Sequence, residues 1–324
     1  MSKHVVVIGG GAWGTALALA ISRAGSTVSL LVRDANTAQS INTNRRHPTR
    51  LEDAEIDEGI YATIDLSCIS DVTYLVAAVP AQSLRQALHG IIPYIQDKTS
   101  IISAAKGIEQ GSLLRMSEVI QEVIPHITRA VIAGPSFAFD IAQARPTTVV
   151  VASDCLEKAR ELSQLFASEN VYPFACTDVV GVEIGGALKN VYSIASGIVF
   201  GRKLGASAQA AIVTCGFEEM SRIATALGAQ RDTLTGLSGL GDLILSANSE
   251  GSRNFTLGVR IAQCIPISSS LLTEGANTAS AALDLARRHE VSTPILEAIV
   301  DLISGKTASD TVVSDLLKKV LYQS

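Results

Sequence analysis

The sequence predicts an α/β domain with a doubly wound, mostly parallel sheet over residues 1–178, followed by an all-helical domain over residues 179–324. Three observations carry this. A β-branched run at the N-terminus leads into a glycine-rich turn and an apolar helix. Short apolar runs then alternate with helical patterns up to about Asp178. Beyond that point the strand-like runs stop, and long Ala/Leu/Ile stretches with helical spacing take over. Strands alternating with helices imply a parallel sheet covered on both faces.

Composition sets the outer bounds. At 324 residues the chain can bury two cores. Hydrophobic residues make up 47% and charged residues 18%, the balance of an ordinary globular protein. The net charge of -5 and the lack of a long basic run argue against nucleic-acid binding. The nearest basic run, Asn44 to His47, precedes Pro48 and reads as a loop. The five cysteines are widely spaced, with no CxxC pair, and the five histidines are scattered. This pattern predicts reduced thiols in a cytoplasm and no metal site. The uncharged segment Val5 to Ser22 imitates a secretion signal, but its adjacent glycines would weaken an inserted helix. No membrane span is expected.

In chain order, "HVVVIG" predicts a strand buried on both faces. Gly9, Gly11 and Gly14 then form G-x-G-x-x-G at the turn between this strand and the helix "TALALAISRAG", with "STVSLLVR" as the next strand. In that setting the motif predicts dinucleotide binding. Gly9 permits the tight turn, Gly11 lets backbone approach a pyrophosphate, and Gly14 lets the helix pack on the strand. The helix N-terminus presents N–H groups to the phosphates. Arg33 ends the second strand, where it can pair with a 2′-phosphate, and Asp34 follows. NADP is favoured and NAD stays open. Further strands are expected in "DVTYLVAAVP", "TSIISAAKG", "RAVIAGPS" and "TTVVVAS". Lys106, after one strand end, is a candidate to contact an anion or carbonyl oxygen, or else a surface lysine in a turn.

The helical half is expected to contain helices over Gly181 to Gly201, Ser207 to Leu227, Asn277 to His289 and Thr293 to Ile303, with a short loop at Ser268 to Ser270. Lys189 and Asn190 stand in the middle of the first, amid small apolar residues. A buried ammonium needs a partner or a lowered pKa. Asp242 follows the glycine-rich "GLSGLG" at a helix start, as a functional acid or as an N-cap. Ser252, Arg253 and Asn254 fall in one expected loop whose donors suit a phosphate.

Taken together these motifs resemble the NAD(P)-dependent glycerol-3-phosphate dehydrogenases of bacteria. "VIGGGAWGTALA", "SAAKGIE", "AGPSFA", "GGALKNVYSIASGI", "GLSGLGDLILS", "GSRN" and "TEGANTA" follow one another in the family's order over nearly the whole chain. The resemblance implies a Rossmann-type domain, then a helical domain like the C-terminal one of 6-phosphogluconate dehydrogenase. It implies a cytoplasmic enzyme that reduces dihydroxyacetone phosphate to sn-glycerol 3-phosphate with NADPH or NADH, for phospholipid synthesis. It places acid/base catalysis on Lys189, with Lys106, Asp242 and Asn190 beside it. It places Lys106, Gly134, Ser136, Lys189, Asp242, Ser252, Arg253 and Asn254 around the substrate. It places Trp13, Arg33, Lys106, Ala138, Arg253, Leu272 and Glu274 at the cofactor, alongside Gly9, Gly11, Ala12 and Gly14 of the glycine-rich turn. Asp34 stands where many relatives carry a second arginine, which opposes a strict NADP preference. The segment after "TEG" lacks the tyrosine or arginine of some relatives.

The expected site lies between the domains, with Asn190 and Asp242 orienting the Lys189 ammonium. A second ammonium on Lys106 would lower the pKa of Lys189. A homodimer is expected. Two alternatives remain at this stage: a related dehydrogenase acting on a β-hydroxy acid or 6-phosphogluconate, and a non-catalytic dinucleotide sensor.

Overall fold

A computed structural model of the protein describes residues 3–51, 53–266 and 273–305. The chain forms two compact units. The first runs to Ala105 and resumes over Met116–Val179, and the second comprises Lys106–Arg115 and the chain from Val180 onward. The expected single boundary after residue 178 is therefore incomplete: a ten-residue excursion belongs to the second unit.

The first unit is built on one eight-stranded sheet. Its strands are β1 (His4–Ile8), β2 (Thr27–Leu31), β3 (Ile60–Thr63), β4 (Tyr74–Ala77), β5 (Ser100–Ser103), β6 (Thr128–Ala133), β7 (Thr147–Ser153) and β8 (Val171–Cys176). The order across the sheet is β3-β2-β1-β4-β5-β6-β7-β8. All neighbours are parallel except β6 and β7, so the last two strands oppose the rest. The order turns at β1 and β4, and sheets of this kind bind ligands outside the carboxyl ends of the strands at such a switch. The glycine turn follows β1 directly at that place. Its central strands β1, β4 and β5 are almost wholly buried, as strands covered on both faces are.

Six strands coincide with the expected runs, and β3 and β8 are additional. Both lie at sheet edges, where a strand needs only one apolar face. In β8, "VYPFAC", Pro173 reads as a strand breaker. At an edge it is tolerated, because only one side of the strand is paired.

Among the described residues the second unit is helical, apart from an isolated bridge between Ile108 and Arg115 in the excursion. The excursion is anchored there. Ile108 is fully buried in the helical core, Arg115 pairs with Glu183 at 2.8 Å, and Gln110 donates to the Asn277 carbonyl at 2.8 Å. The longest helix among the described residues, Val179–Gly201, is buried without a break from Ile184 to Val199. A helix apolar on all sides belongs in a core, and small residues let its neighbours come close. A β-carbon on Gly197 would overlap the Phe255 carbonyl, and one on Gly258 would overlap the Ile194 carbonyl. The helices Val179–Gly201 and Arg253–Ala262 thus cross backbone to backbone. Among the described residues no helix is long and apolar enough to cross a membrane.

One buried acid in this core is not signalled by any motif. Glu219, on the helix Ala206–Ala226, accepts from the Ile295 N–H at 2.7 Å, the Leu296 N–H at 3.2 Å and the Tyr192 hydroxyl at 3.2 Å. It thereby satisfies the first turn of the helix Pro294–Ile303. Burial pushes its carboxyl up to about 7, against the pull of those donors. An acid whose folded value is raised gives stability at low pH that is lost as pH rises through that value. From pH 5 to 8 the wild-type protein should therefore lose about 2–3 kcal/mol relative to Glu219→Gln. Urea unfolding of both proteins at the two pH values measures this, and parallel pH dependence would refute it.

Candidate active site

The Lys189 side chain is almost wholly buried. It projects from a helix buried on every side and is only 6% exposed. Its ammonium donates to Asp242 Oδ1 at 2.7 Å and to Ser246 Oγ at 2.6 Å. Asp242 is fully buried, and its other oxygen, Oδ2, accepts from the Lys106 ammonium at 2.8 Å. One carboxylate is thus shared by two lysines, all three residues belonging to the helical unit.

Backbone packing sets this array. The lysine helix lies against the π-helical turn Leu237–Gly241, so closely that a β-carbon on Gly185 would stand 2.7 Å from the Ser238 carbonyl oxygen. One turn further along each segment, Lys189 meets Asp242. Further still, the Ser196 hydroxyl donates to the Ala247 carbonyl at 2.7 Å. Asp242 and Ser246 are four residues apart on the helix Asp242–Ala247 and so share a face. The small residues around Lys189 are the clearance for this approach.

The electrostatics follow from burial. Burial pushes the Lys189 ammonium down to about 8; Asp242 opposes the shift and Lys106 adds to it. The neighbouring cation is therefore a secondary influence rather than the main one. Burial alone would raise the Asp242 carboxyl, but the charges and hydrogen bonds of Lys106 and Lys189 bring it below its ordinary value. Asp242 does not cap its helix: the N-cap is Gly241, and both carboxylate oxygens are taken by lysines.

Asn190 differs from expectation. Its Oδ1 accepts from Asn254 Nδ2 at 3.0 Å, and Asn254 Oδ1 accepts from the Gly275 N–H at 3.0 Å. The amide joins three helices rather than the ammonium, whose protein partners are Asp242 and Ser246. Ser246 escaped the sequence reading, although its four-residue spacing from Asp242 in "GDLILS" is a usable signal. The "GSRN" stretch is also no loop. Ser252 is the N-cap of the helix Arg253–Ala262, its hydroxyl accepting from the Phe255 N–H at 3.4 Å. Arg253 and Asn254 occupy the first turn, with Arg253 exposed. A helix N-terminus beside a guanidinium suits a phosphate. Glu274 opens the helix Glu274–Arg288, capped by Thr273, while Leu272 lies outside the described residues, as does the stretch Ser268–Ser270.

The remaining expected residues belong to the first unit. Gly9 has φ +112°, and a β-carbon there would stand 2.6 Å from the Ala78 carbonyl oxygen, so only glycine fits. Gly11 is the N-cap of the helix Ala12–Arg23, and a β-carbon on it would meet nothing within 4 Å. Ala12, Trp13 and Gly14 form the first turn, with Gly14 against the Gly9 carbonyl. This is a backbone cradle open at Gly11, into which a diphosphate fits. Arg33 is exposed and, among the described residues, makes no hydrogen bond or ion pair. Asp34 caps the helix Ala35–Asn44, accepting from the Thr37 N–H at 2.8 Å, which holds its carboxyl below the ordinary value. Gly134 follows β6, Ser136 donates to the Gly134 carbonyl at 3.1 Å, and Ala138 begins the helix Ala138–Ala142.

Two family models match the chain. The N-terminal model of NAD-dependent glycerol-3-phosphate dehydrogenase matches residues 4–159, and its C-terminal model matches residues 178–314. The glycerol-3-phosphate dehydrogenase [NAD(P)+] of Brucella ovis is 42% identical over 322 residues, covering 99% of each chain. That of Maricaulis maris is 41% identical over 322 residues, covering 98% of this chain and 97% of the relative. The crystal structure of glycerol-3-phosphate dehydrogenase from Coxiella burnetii superposes with a TM-score of 0.91 at 30% identity, over 98% of this chain and 99% of the other. The full-length match, the Rossmann-type unit and the helical unit together make this chain a member of the NAD(P)-dependent glycerol-3-phosphate dehydrogenase family.

Proposed function

We propose that Lys189 is the general acid by which this chain reduces dihydroxyacetone phosphate to sn-glycerol 3-phosphate, a precursor for phospholipids. The observation that carries this is the buried Lys106–Asp242–Lys189–Ser246 array. An ammonium has three N–H donors. Two of those on Lys189 are held by Asp242 and Ser246, which leaves the third for a substrate oxygen. Reduction of a carbonyl develops negative charge on that oxygen. Lys189 stabilises the charge and then supplies the proton. Lys106 adds positive charge, and Asp242 keeps both lysines in place. Arg253 and the first turn of its helix hold the phosphate, so that remote binding orients the carbonyl.

The glycine turn of the first unit fits a dinucleotide. Gly9, Gly11, Ala12, Trp13 and Gly14 would hold its diphosphate and Arg33 its adenosine end, with Lys106, Ala138, Arg253 and Glu274 as further contacts. When bound, the reduced nicotinamide supplies the hydride to the carbonyl carbon. Unpaired Arg33 favours NADPH. Asp34 counts less against a 2′-phosphate than its charge suggests, since its carboxylate is engaged with Thr37. The helical unit is read as the 6-phosphogluconate dehydrogenase type. Five free thiols suit a cytoplasmic setting.

Lys189→Ala should lower turnover at least about a hundredfold while leaving NADPH affinity within about twofold. Steady-state kinetics and NADPH titration check this, and near-wild-type turnover would end the proposal. Reduction needs the protonated lysine, so kcat/KM for dihydroxyacetone phosphate should fall as pH rises through about 8. The reverse oxidation needs the amine and should gain over the same range. For the cofactor, Arg33→Ala should raise KM for NADPH about tenfold and leave KM for NADH nearly unchanged. Equal effects on the two cofactors would count against a 2′-phosphate contact.

A further inference from the structure

His47 lies outside every motif that pointed to the function, yet it touches the glycine turn. It stands in the connection after the helix Ala35–Asn44 and is only 6% exposed. Its Nδ1 accepts from the Thr49 N–H at 3.2 Å, and its Nε2 is 2.7 Å from the Gly10 carbonyl oxygen. An acceptor at Nδ1 leaves the hydrogen on Nε2, so the neutral ring donates to Gly10. Burial, with Arg50 adding to it and the Gly10 carbonyl and Asp34 opposing, keeps the imidazole below its ordinary value. The connection itself is braced. The Arg45 guanidinium donates to the carbonyls of Ile60, at 3.2 Å, and Asp57, and the Ile56 N–H donates to the Arg45 carbonyl at 2.9 Å.

The consequence lies in one peptide plane. A trans peptide points its C=O and its N–H in opposite directions, and the described chain has no cis bonds. With the Gly10 carbonyl turned to His47, the Gly11 N–H is turned away from it. Gly11 caps the helix Ala12–Arg23 where a side chain would meet open space. Glycines on both sides leave this plane free to rotate in the absence of a restraint.

We propose that His47 is a positioning residue for the dinucleotide: through the Gly10 carbonyl it holds the Gly10–Gly11 peptide with its N–H presented to the diphosphate. This rests on the dinucleotide reading of the glycine turn, and not on the identity of the carbonyl substrate. The diphosphate is common to NADH, NADPH and ADP-ribose, so all three should respond alike. His47→Ala should weaken each by about tenfold in calorimetric titration, the worth of one hydrogen bond. The kcat should stay within about twofold, and His47→Gln, which keeps a donor near the Nε2 position, should recover most of the affinity. His47→Leu, which fills the space without a donor, carries the same comparison if the alanine variant does not fold. Binding of ADP-ribose needs no turnover, so failure of the proposed reaction would leave the measurement intact. Unchanged ADP-ribose affinity in a variant with a lowered Tm would overturn the proposal, as would a loss confined to NADPH. So would a glutamine variant that binds no better than alanine.

Discussion

The candidate active site is organised around a single carboxylate. Asp242 has no exposure to water, and each of its oxygens is taken by a different ammonium. Breaking a buried ion pair by removing one partner leaves an uncompensated charge and costs about 3–5 kcal/mol. Here the loss would strand two cations rather than one. Asp242 is therefore a structural and an electrostatic element at once. It keeps Lys189 charged in a place where burial works against charge, and it fixes the direction of the remaining N–H.

That carboxylate can act so only because backbones come close around it. Gly185 against Ser238 brings the lysine helix to the π-helical turn, and Gly197 against Gly258 brings it to the helix that carries Arg253 and Asn254. Asn190 and Asn254 then join side chain to side chain, and Asn254 holds the Gly275 N–H. Lys189, Arg253 and Asn254 thus sit on helices locked by glycine contacts and buried amides. Such rigid support is what precise positioning of a reacting carbonyl requires.

Much of this was legible in the chain because the signals are local. The glycine spacing, the apolar runs of the central strands and the helical periodicity beyond residue 178 each lie within a short window. Edge strands were less visible: β3 and β8 bury one face, and Pro173 hides the second of them. The start of the helix at Arg253 was masked by glycines, serines and an asparagine that read as a loop, although Ser252 is a good N-cap. The partners of Lys189 were the hardest. Asp242 and Ser246 lie more than fifty residues away, and only packing decides that Ser246, and not Asn190, meets the ammonium. The resemblance to a family supplied candidate residues but no bonds between them.

The excursion of Lys106–Arg115 bears on how such a molecule can be divided. The chain passes from one unit to the other three times, and the middle piece carries both a lysine of the buried array and Ile108 of the helical core. The two units are therefore not beads that a single cut would separate. A fragment beginning near residue 179 would lack one of the two cations on Asp242 and a fully buried core side chain. In terms of inheritance, exchange of whole halves between such proteins would break this array unless the strand end after β5 travelled with the helices. The covalent path itself ties the sheet unit to the helices that carry the Lys189–Asp242 pair.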